Sequence, residues 1–441
     1  MTLDDQQSAA LDAMNRGGNC FLTGSAGTGK STVTTNFIGA SFRKVDVAAT
    51  TGIAAINLRD QFAARAGRPV NVMTIYRWLG IGLGPTPGQP PEEFWAWWRD
   101  KMTPGKMNAM NRIRRAECLV IDEISMLPGR LLNYMDFHLR KIRGENAPFG
   151  GLQVVACGDF LQLPPVDKAG TGYDWAFLAE AWDFTPVMLQ RVHRQADPVF
   201  ADLLNGFRVG KLSKQGVDTI ARRVSPFCPA HVPRLFTHNR DVDKWNGAML
   251  ADLPGEVTVF TARISGENED QRKWLIRNLV TPYHLELKEG ARVMVTANLS
   301  DEAGQMLASN GTMATVTGFT DKVVEIETDD GACLMLSPHA WQFDQQDDDS
   351  ATFFQIPLRL AWACTVHKSQ GLTLKEAWID IRAAREPGQA YVALSRVKTL
   401  DGLHLKAVPN GIFTSPAAVG FYERIRSAAV PVPEVSAEFL Y

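Results

Sequence analysis

The sequence predicts an α/β fold built on a parallel sheet, and three separate stretches support this prediction. Each of them contains a short apolar run that is typical of a strand buried on both faces. Each run ends in glycine or in residues with hydroxyl or carboxylate side chains. The stretches lie at 19–31, 117–126 and 152–165. Strands of a parallel sheet bring their carboxyl ends to one edge, where such folds bind ligands, so we expect the polar ends to meet there.

The first stretch carries a phosphate-binding pattern. The residues Gly24-Ser25-Ala26-Gly27-Thr28-Gly29-Lys30-Ser31 fit G-x-x-x-x-G-K-[ST] between an apolar run and a potential helix. The glycines let the backbone N–H groups turn toward a phosphate, and the helix adds its positive end. We expect Lys30 to reach the β and γ phosphates of ATP, Ser31 to ligate Mg²⁺, and Thr32 to complete the nucleotide contacts. The alternative is a glycine-rich turn that matches by chance.

The second stretch supplies two acids. Four apolar residues precede Asp122 and Glu123. Asp122 is placed to hold Mg²⁺, whereas Glu123 is placed to orient and deprotonate the attacking water. Two acids at a strand end could instead cap the next helix, so the prediction depends on their occurrence together with the phosphate loop.

Two glutamines are candidates for the same site. Gln162 follows Gly158-Asp159 on a loop stiffened by two prolines, where an amide can sense a γ-phosphate; an ordinary turn glutamine is the alternative. Gln7 lies on a short capped helix before the phosphate loop. Its amide offers the donor and acceptor that an adenine edge requires, although the chemistry alone favours a solvated surface glutamine.

The composition indicates the class of protein and the compartment in which we expect it. The 441 residues, 45% hydrophobic and 21% charged, are typical of a folded protein with two or more domains. The net charge of −2 gives no general attraction to nucleic acid, so any DNA contact must be local. Six scattered cysteines favour buried free thiols. Since neither a signal peptide nor a membrane-spanning run is recognisable, we expect an intracellular protein, cytoplasmic in a bacterium or encoded by a phage.

Two further stretches leave alternatives open. Thr50-Thr51-Gly52 ends a predicted strand, where small residues suit either close approach to a ligand or the start of a helix. Residues 80–105 contain a run rich in proline and glycine, followed by an aromatic cluster, and read as a small insertion. Its aromatic side chains, Phe94, Trp95, Trp97 and Trp98, could stack on bases but more commonly form a local core.

Taken together, the motifs and their order resemble the Pif family of DNA helicases, relatives of RecD in the B branch of helicase superfamily one. The strongest match is Phe-Gly-Gly-Leu-Gln-Val-Val-Ala-Cys-Gly-Asp-Phe-Leu-Gln-Leu-Pro-Pro at 149–165. Further similar segments follow in the family's order at 189–197, 287–294, 309–316, 358–373 and 391–396. Tyr76 stands where relatives usually carry histidine, and Ala297 where many carry lysine.

The resemblance implies two RecA-like parallel-sheet P-loop cores, a small inserted wedge subdomain and an SH3-like β-barrel insertion. The corresponding boundaries are 1–79 and 106–190 for the first core, 80–105 for the wedge, 191–290 and 357–428 for the second core, 291–356 for the SH3-like insertion, and 429–441 for a tail.

The resemblance also implies roles for residues outside the three strand ends. Arg194 and Arg396 would act as arginine fingers from the second core, although a surface ion pair is the usual role of a single arginine. Gln370 and Gly371 would couple to the nucleotide. The implied DNA contacts are Lys368 and Ser369 to phosphates, with Thr365 and His367 close by, together with Thr50, Gly52, Thr74 and Asn310.

The expected function is therefore that of an ATP-dependent DNA helicase using ATP and Mg²⁺. The resemblance implies 5′-to-3′ translocation on single-stranded DNA and unwinding at junctions and forks, by a monomer, with G-quadruplex DNA as a further candidate substrate. One alternative is a translocase that remodels protein–DNA complexes without separating strands. Another is a non-enzymatic switch that binds a nucleotide and a partner.

Overall fold

The structure is a computed structural model in which two compact units can be described. The described residues are 3–50, 55, 58, 62, 70–82, 84–85, 88–100, 102–165, 172–195, 197–228, 232–301, 306–320, 322–343, 350–370 and 372–428. The first unit comprises Met1–Leu212, Glu386–Gly388 and Ile412–Tyr441, and the second comprises Ser213–Arg385 and Gln389–Gly411. Gly52, Gly371 and the tail 429–441 lie outside the described residues.

The described helices and strands are numbered in chain order. The helices are α1 Asp5–Asn15, α2 Lys30–Ala40, α3 Ile75–Leu79, α4 Pro91–Asp100, α5 Pro104–Arg115, α6 Gly129–Arg143, α7 Pro198–Val209, α8 Lys214–Arg222, α9 Asn239–Asp252, α10 Glu269–Asn278, α11 Gln389–Leu394 and α12 Pro416–Ala428. The strands are β1 Cys20–Gly24, β2 Val45–Ala49, β3 Asn71–Thr74, β4 Cys118–Asp122, β5 Gln153–Gly158, β6 Thr185–Leu189, β7 Arg234–Phe236, β8 Thr258–Thr261, β9 Arg263–Ser265, β10 His284–Leu287, β11 Arg292–Val295, β12 Leu299–Ser300, β13 Met306–Ala308, β14 Met313–Thr320, β15 Val323–Thr328, β16 Cys333–Leu336, β17 His339–Gln342, β18 Thr352–Gln355, β19 Leu358–Leu360, β20 Ala363–Thr365, β21 Ala377–Ile379 and β22 Leu403–Leu405. None of these helices is long and apolar enough to cross a membrane.

A parallel sheet forms the centre of the first unit, as the sequence predicted. Its strand order is β3-β2-β4-β5-β1-β6. The register aligns the carboxyl ends, since Ala49 pairs with both Thr74 and Asp122, and Thr23 pairs with Gly158. The phosphate loop, the two acids and the Gln162 loop therefore leave the sheet along one edge.

Both faces of this sheet are covered, which explains its apolar strands. Along β1, Leu22 packs with Val33 and Phe37 of α2 on one face. The neighbouring Phe21 packs on the other face, in a cluster that includes residues of α6 and α12. Alternate side chains thus enter two different cores, so the strand shows no polar face in its sequence.

The insertion at 80–105 packs mainly as a local core. Phe94 and Trp98 are buried in the same cluster as the sheet residues, and the Trp98 indole donates a hydrogen bond to the Gly80 carbonyl at 2.7 Å. The Trp98 ring lies edge-on against His138 at 4.4 Å, and burial lowers the pKa of His138 to about 3. Trp97 remains 51% exposed. The local-core alternative is correct for Phe94 and Trp98.

The second unit combines a parallel sheet with antiparallel sheets. Strands β20-β7-β21-β22 form the parallel sheet. Strands β16-β15-β14-β11-β19 form a five-stranded sheet whose pairs are antiparallel, and β17-β18-β9 form a further antiparallel sheet. The turn at Asp330-Gly331 closes the β15–β16 hairpin. The turn at Asn310-Gly311 is not a hairpin between its flanking strands, because β13 pairs with β12 while β14 pairs with β11 and β15.

The two compact units differ from the predicted boundaries at three places. Residues 191–212, 386–388 and 412–428 fall in the predicted second core, but their contacts place them in the first unit. The physical reason is burial. Arg208 of α7 forms a buried ion pair with Asp159, and Tyr422 of α12 bonds to Thr23 in β1.

Candidate nucleotide-binding site

The phosphate loop has the strand–loop–helix geometry that its sequence predicted. It connects β1 to α2, and Gly27 and Gly29 both have φ of 85°. A β-carbon at Gly27 would lie 2.5 Å from the Arg194 β-carbon, and one at Gly24 would lie 2.5 Å from the Leu189 carbonyl oxygen. These positions therefore need glycine for both conformation and space.

The Lys30 ammonium lies against the loop. Its Nζ donates to the carbonyl oxygens of Gly24 at 2.8 Å and Ser25 at 3.1 Å. Ser31 is exposed and, with Thr32, belongs to the first turn of α2, whose N-terminal end faces the loop. A cation and a helix N-terminus are thus together at the place expected for a phosphate.

Gln7 is part of the loop environment. Its side-chain amide donates to the Thr28 carbonyl at 3.3 Å, while its Oε1 accepts from the Asp4 N–H at 3.2 Å. The Asp4 carboxylate in turn accepts from the Gln7 N–H, which completes a capping box at the start of α1. With 6% of Gln7 exposed, the solvated-surface alternative is wrong.

The two acids differ in their surroundings. Asp122 Oδ1 accepts from the Glu123 N–H at 2.9 Å, and burial raises the pKa of Asp122. The Cys157 thiol is its neighbour and hydrogen-bond partner. Burial, followed by the Asp122 charge, raises the pKa of Cys157 and keeps the thiol protonated, so it can donate to the carboxylate. Sequence reasoning assigned Cys157 only to a buried strand.

Glu123 has a left-handed backbone, with φ 52° and ψ 45°. For a residue other than glycine such a conformation costs about 1–3 kcal/mol and persists where neighbours enforce it. Two neighbours are close to it. The Thr50 hydroxyl lies 3.4 Å from the Glu123 carbonyl oxygen, and a β-carbon added at Gly158 would lie only 3.0 Å from the Ile124 backbone nitrogen. These contacts surround the uncommon backbone conformation of Glu123 at the sheet edge.

The Gln162 loop is held by a buried ion pair. Gln162 is buried, and its N–H donates to the Asp159 carbonyl at 2.9 Å. Two bonds of 2.9 Å join the Asp159 carboxylate to the Arg208 guanidinium. Burial alone would raise the pKa of Asp159, but Arg208 lowers it below its usual value. Sequence reasoning missed Arg208, whose only signal is a charge within the apolar helix α7.

Arg194 lies beside the phosphate loop in the first unit, so its predicted origin in the second core is corrected. The segment follows β6 directly, and the N–H groups of His193 and Arg194 donate to the Gly27 carbonyl at 2.8 and 3.3 Å. His193 also bonds to the Asp4 carboxylate at 2.8 Å. These contacts fix the segment to the loop and to the start of α1.

Arg396 belongs to the second unit and is 3% exposed. Its guanidinium donates to the Val392 carbonyl at 2.8 Å and to the Leu372 carbonyl at 3.3 Å. A surface ion pair, the alternative for a single arginine, is therefore not its environment. Gln370 lies two residues before Leu372, and its Nε2 is buried without a hydrogen-bond partner among the described residues. Such an orphaned donor is compatible with the predicted coupling to a ligand.

The predicted DNA contacts of the second unit separate into inward and outward side chains. His367–Ser369 form a 3-10 turn that exposes His367 and Lys368. Partial burial, with the Arg359 guanidinium nearby, lowers the pKa of Lys368. Thr365 and Ser369 are both buried: Thr365 accepts from the Lys368 N–H, and the Ser369 hydroxyl donates to the Val366 carbonyl at 2.7 Å. Their hydroxyls build the turn.

The remaining predicted DNA residues lie at strand ends and turns. Thr50 follows β2, and Thr74 is the last residue of β3, where its hydroxyl caps α3 by accepting from the Arg77 N–H. Asn310 is half-buried at its turn, where its N–H donates to the Asn298 side chain at 2.7 Å. Ala297 is buried.

A phosphate loop, two acids and a buried glutamine at neighbouring ends of one parallel sheet define a P-loop NTPase. A family model described as an AAA domain matches residues 2–224. The chain is 34% identical to the ATP-dependent DNA helicase Pif1 of Bdellovibrio bacteriovorus, over 96% of this chain and 92% of that protein. It is also 34% identical to human ATP-dependent DNA helicase PIF1, of which it spans 64%. The chain belongs to the Pif1 family of ATP-dependent DNA helicases.

Solved structures agree with this assignment. A crystal structure of Bacteroides sp Pif1 in complex with ADP-AlF4 matches with a TM-score of 0.79 and 30% identity, covering 97% of this chain and 98% of that one. Bacteroides Pif1 in complex with ADP-AlF3 and single-stranded DNA matches with a TM-score of 0.67 and 29% identity, with the same coverage. The chain therefore shares the α/β parallel-sheet core of the Pif1 helicase fold.

Proposed function

We propose that this chain hydrolyses ATP at the edge of the first sheet and uses the energy to move 5′-to-3′ along single-stranded DNA, unwinding duplex at junctions and forks. The observation that carries the proposal is the alignment of the phosphate loop, Asp122, Glu123 and Gln162 along one sheet edge. Membership of the Pif1 family supports the coupling of ATP hydrolysis to movement on DNA. The 5′-to-3′ direction of that movement rests on the family alone.

The proposed roles follow from the chemistry of each group. Lys30 balances negative charge on the β and γ phosphates, as the only cation within the loop itself. Glu123 orients the attacking water and takes its proton. Gln162 contacts the γ-phosphate and senses its loss, and Gln7 reads the adenine edge with the amide that now bonds to Thr28.

Ser31 and Asp122 fit a magnesium site. A hydroxyl and a carboxylate are oxygen donors of the kind Mg²⁺ prefers, and this ion takes its other positions from water and phosphate. Ser31 is exposed and Asp122 is partly exposed, so both can reach such a ligand. When bound, the ion would neutralise charge on the β and γ phosphate oxygens.

Two arginines are proposed to stabilise the transition state. Arg194 is already fixed beside Gly27 through its backbone. Arg396 belongs to the other unit, so its action on the same phosphate is a property of the nucleotide-bound state. A guanidinium that never deprotonates is suited to charge that develops on the transferring phosphoryl group.

The residues that we propose as DNA contacts either have exposed side chains or lie at turns and strand ends. Lys368 and His367 are exposed, Asn310 lies at a turn, and Thr74 lies at the end of β3. Trp97 is the exposed aromatic residue of the insertion, and we assign it the wedge role. The finer architecture is part of the same proposal: the two parallel sheets would be RecA-like cores, and the five-stranded antiparallel sheet would be the SH3-like insertion.

Unwinding of tailed duplexes tests the proposal. Wild-type protein should separate a duplex with a 5′ single-stranded tail and leave one with a 3′ tail intact, whereas Glu123→Gln should bind both and unwind neither. Equal unwinding of both substrates would contradict the direction. If single-stranded DNA stimulates ATP turnover but the strands of a forked duplex are not separated, the translocase alternative is favoured instead. Negligible turnover with or without DNA would favour the non-enzymatic switch.

A further inference from the structure

The helix α12 completes the nucleotide-binding unit through Tyr422. This side chain is 2% exposed, and its hydroxyl lies 2.6 Å from the Thr23 hydroxyl. The same hydroxyl accepts a hydrogen bond from the Phe160 N–H at 3.2 Å. Thr23 directly precedes Gly24 of the phosphate loop, and Phe160 lies two residues before Gln162. One buried hydroxyl thus joins the ends of β1 and β5.

The surrounding contacts hold the Tyr422 ring in place. The Arg208 guanidinium, which is bonded to Asp159, lies 4.8 Å from the centre of the ring. The preceding Phe421 packs against Phe177 at 4.6 Å and against Phe160 at 5.6 Å. The hydroxyl is therefore fixed by its own ring and cannot follow a movement of either strand end without breaking a bond.

Loss of the hydroxyl would leave buried groups without partners. The Phe160 N–H would have no acceptor there, and Thr23 would lose its side-chain partner. Burial raises the pKa of Tyr422 well above its usual value, so the hydroxyl stays protonated over the whole working pH range. Deprotonation therefore does not break either of its bonds at a working pH.

We propose that Tyr422 is a positioning residue for ATP hydrolysis, which sets the spacing between the phosphate loop and the Gln162 loop. A γ-phosphate held by Lys30 can be sensed by Gln162 only if the two strand ends keep a fixed separation, because displacements of a fraction of an ångström reduce catalysis strongly. Nucleotide binding depends mainly on the loop itself. The hydroxyl therefore contributes to turnover and little to ATP affinity.

The test compares three variants at a temperature well below their unfolding transitions. Tyr422→Phe removes only the hydroxyl and is expected to lower the DNA-stimulated kcat about tenfold, with KM for ATP within about twofold, since one buried hydrogen bond corresponds to roughly that factor. Thr23→Val keeps the Phe160 bond and is expected to give the same kcat loss. Tyr134→Phe is the matched control, because it removes another buried tyrosine hydroxyl bond, to His138, away from the site.

The outcomes separate positioning from stability. A kcat loss in Tyr422→Phe and Thr23→Val, with wild-type kcat in Tyr134→Phe, supports the proposal. Unchanged kcat in both site variants overturns it, as does a raised KM with unchanged kcat or an equal kcat loss in the control. If Tyr422→Phe does not fold, Thr23→Val alone decides. The inference rests on the proposed ATPase, and absence of turnover in the wild type would refute that function instead.

Discussion

Replacement of Arg208 by methionine should destabilise the first unit in a way that grows with pH. The variant leaves the buried Asp159 carboxylate without its guanidinium, and removal of one partner of a buried ion pair typically costs about 3–5 kcal/mol. In the wild type Arg208 holds the pKa of Asp159 below its usual value, so the pair contributes stability that is lost only as pH falls below about 4. Without Arg208, burial is the largest remaining influence and raises that pKa against the weaker lowering effects of the Lys30 charge and the Leu161 N–H bond.

The sign of the pH dependence is therefore reversed in the variant. A folded-state carboxyl pKa above the unfolded value means that the native state binds more protons, so stability falls as pH rises, by at most about 1.4 kcal/mol per pH unit. We expect the destabilisation of Arg208→Met at pH 7.5 to exceed that at pH 5.0 by about 1–3 kcal/mol.

Denaturant unfolding followed by tryptophan fluorescence at the two pH values measures this difference. Arg115→Met is the control, because Arg115 is an exposed arginine at the end of α5 in the same unit. The double variant Asp159→Asn/Arg208→Met removes both charges and should recover most of the loss at each pH. Equal destabilisation of Arg208→Met at pH 5.0 and 7.5 would refute the assignment of a charged, buried pair.

Three further predictions concern turnover and the insertion. Lys30→Ala should reduce ATP turnover to background in a phosphate-release assay, since loss of the loop cation removes roughly several kcal/mol of charge stabilisation; retained turnover would contradict the site. Arg396→Ala should lower kcat while leaving nucleotide affinity nearly intact, because a finger acts mainly in the transition state; a pure affinity loss would indicate a ground-state role. Trp98→Ala should lower the free energy of unfolding by about 3–5 kcal/mol in thermal unfolding. Trp97→Ala should change that free energy by less than about 0.5 kcal/mol but reduce the unwinding of forked DNA. If Trp97→Ala unwinds forked DNA as well as the wild type does, Trp97 has no wedge role.

Short-range patterns allowed the sheet and the strand ends to be predicted. The loop between β1 and α2 and the acids after β4 depend on neighbours in sequence and on the rule that parallel strands share a carboxyl edge. The aromatic insertion was also interpretable, because Phe94 and Trp98 have the spacing of one buried helix face.

Contacts between distant residues could not be predicted in this way. The Thr23–Tyr422 bond joins positions 399 residues apart, and neither residue type signals the other. The buried hydroxyls of Thr365 and Ser369 resemble exposed ones in sequence, since only the turn geometry directs them inward. Arg194 could be assigned to a segment that resembles the Pif family, but its place in the first or the second unit could not be predicted. That place depends on the backbone hydrogen bonds of its segment to Gly27.

The position of α12 has a consequence for how the protein is made. The first unit begins at the N-terminus, but Phe421 and Tyr422 fill its core only after the whole second unit has been synthesised. At typical synthesis rates of about 5–20 residues per second, the nascent first unit waits roughly 10–40 s with the apolar surface around Phe21 and Phe160 uncovered. We expect this interval to be the period in which the growing chain depends most on chaperones, and its N-terminal half to be aggregation-prone when expressed alone.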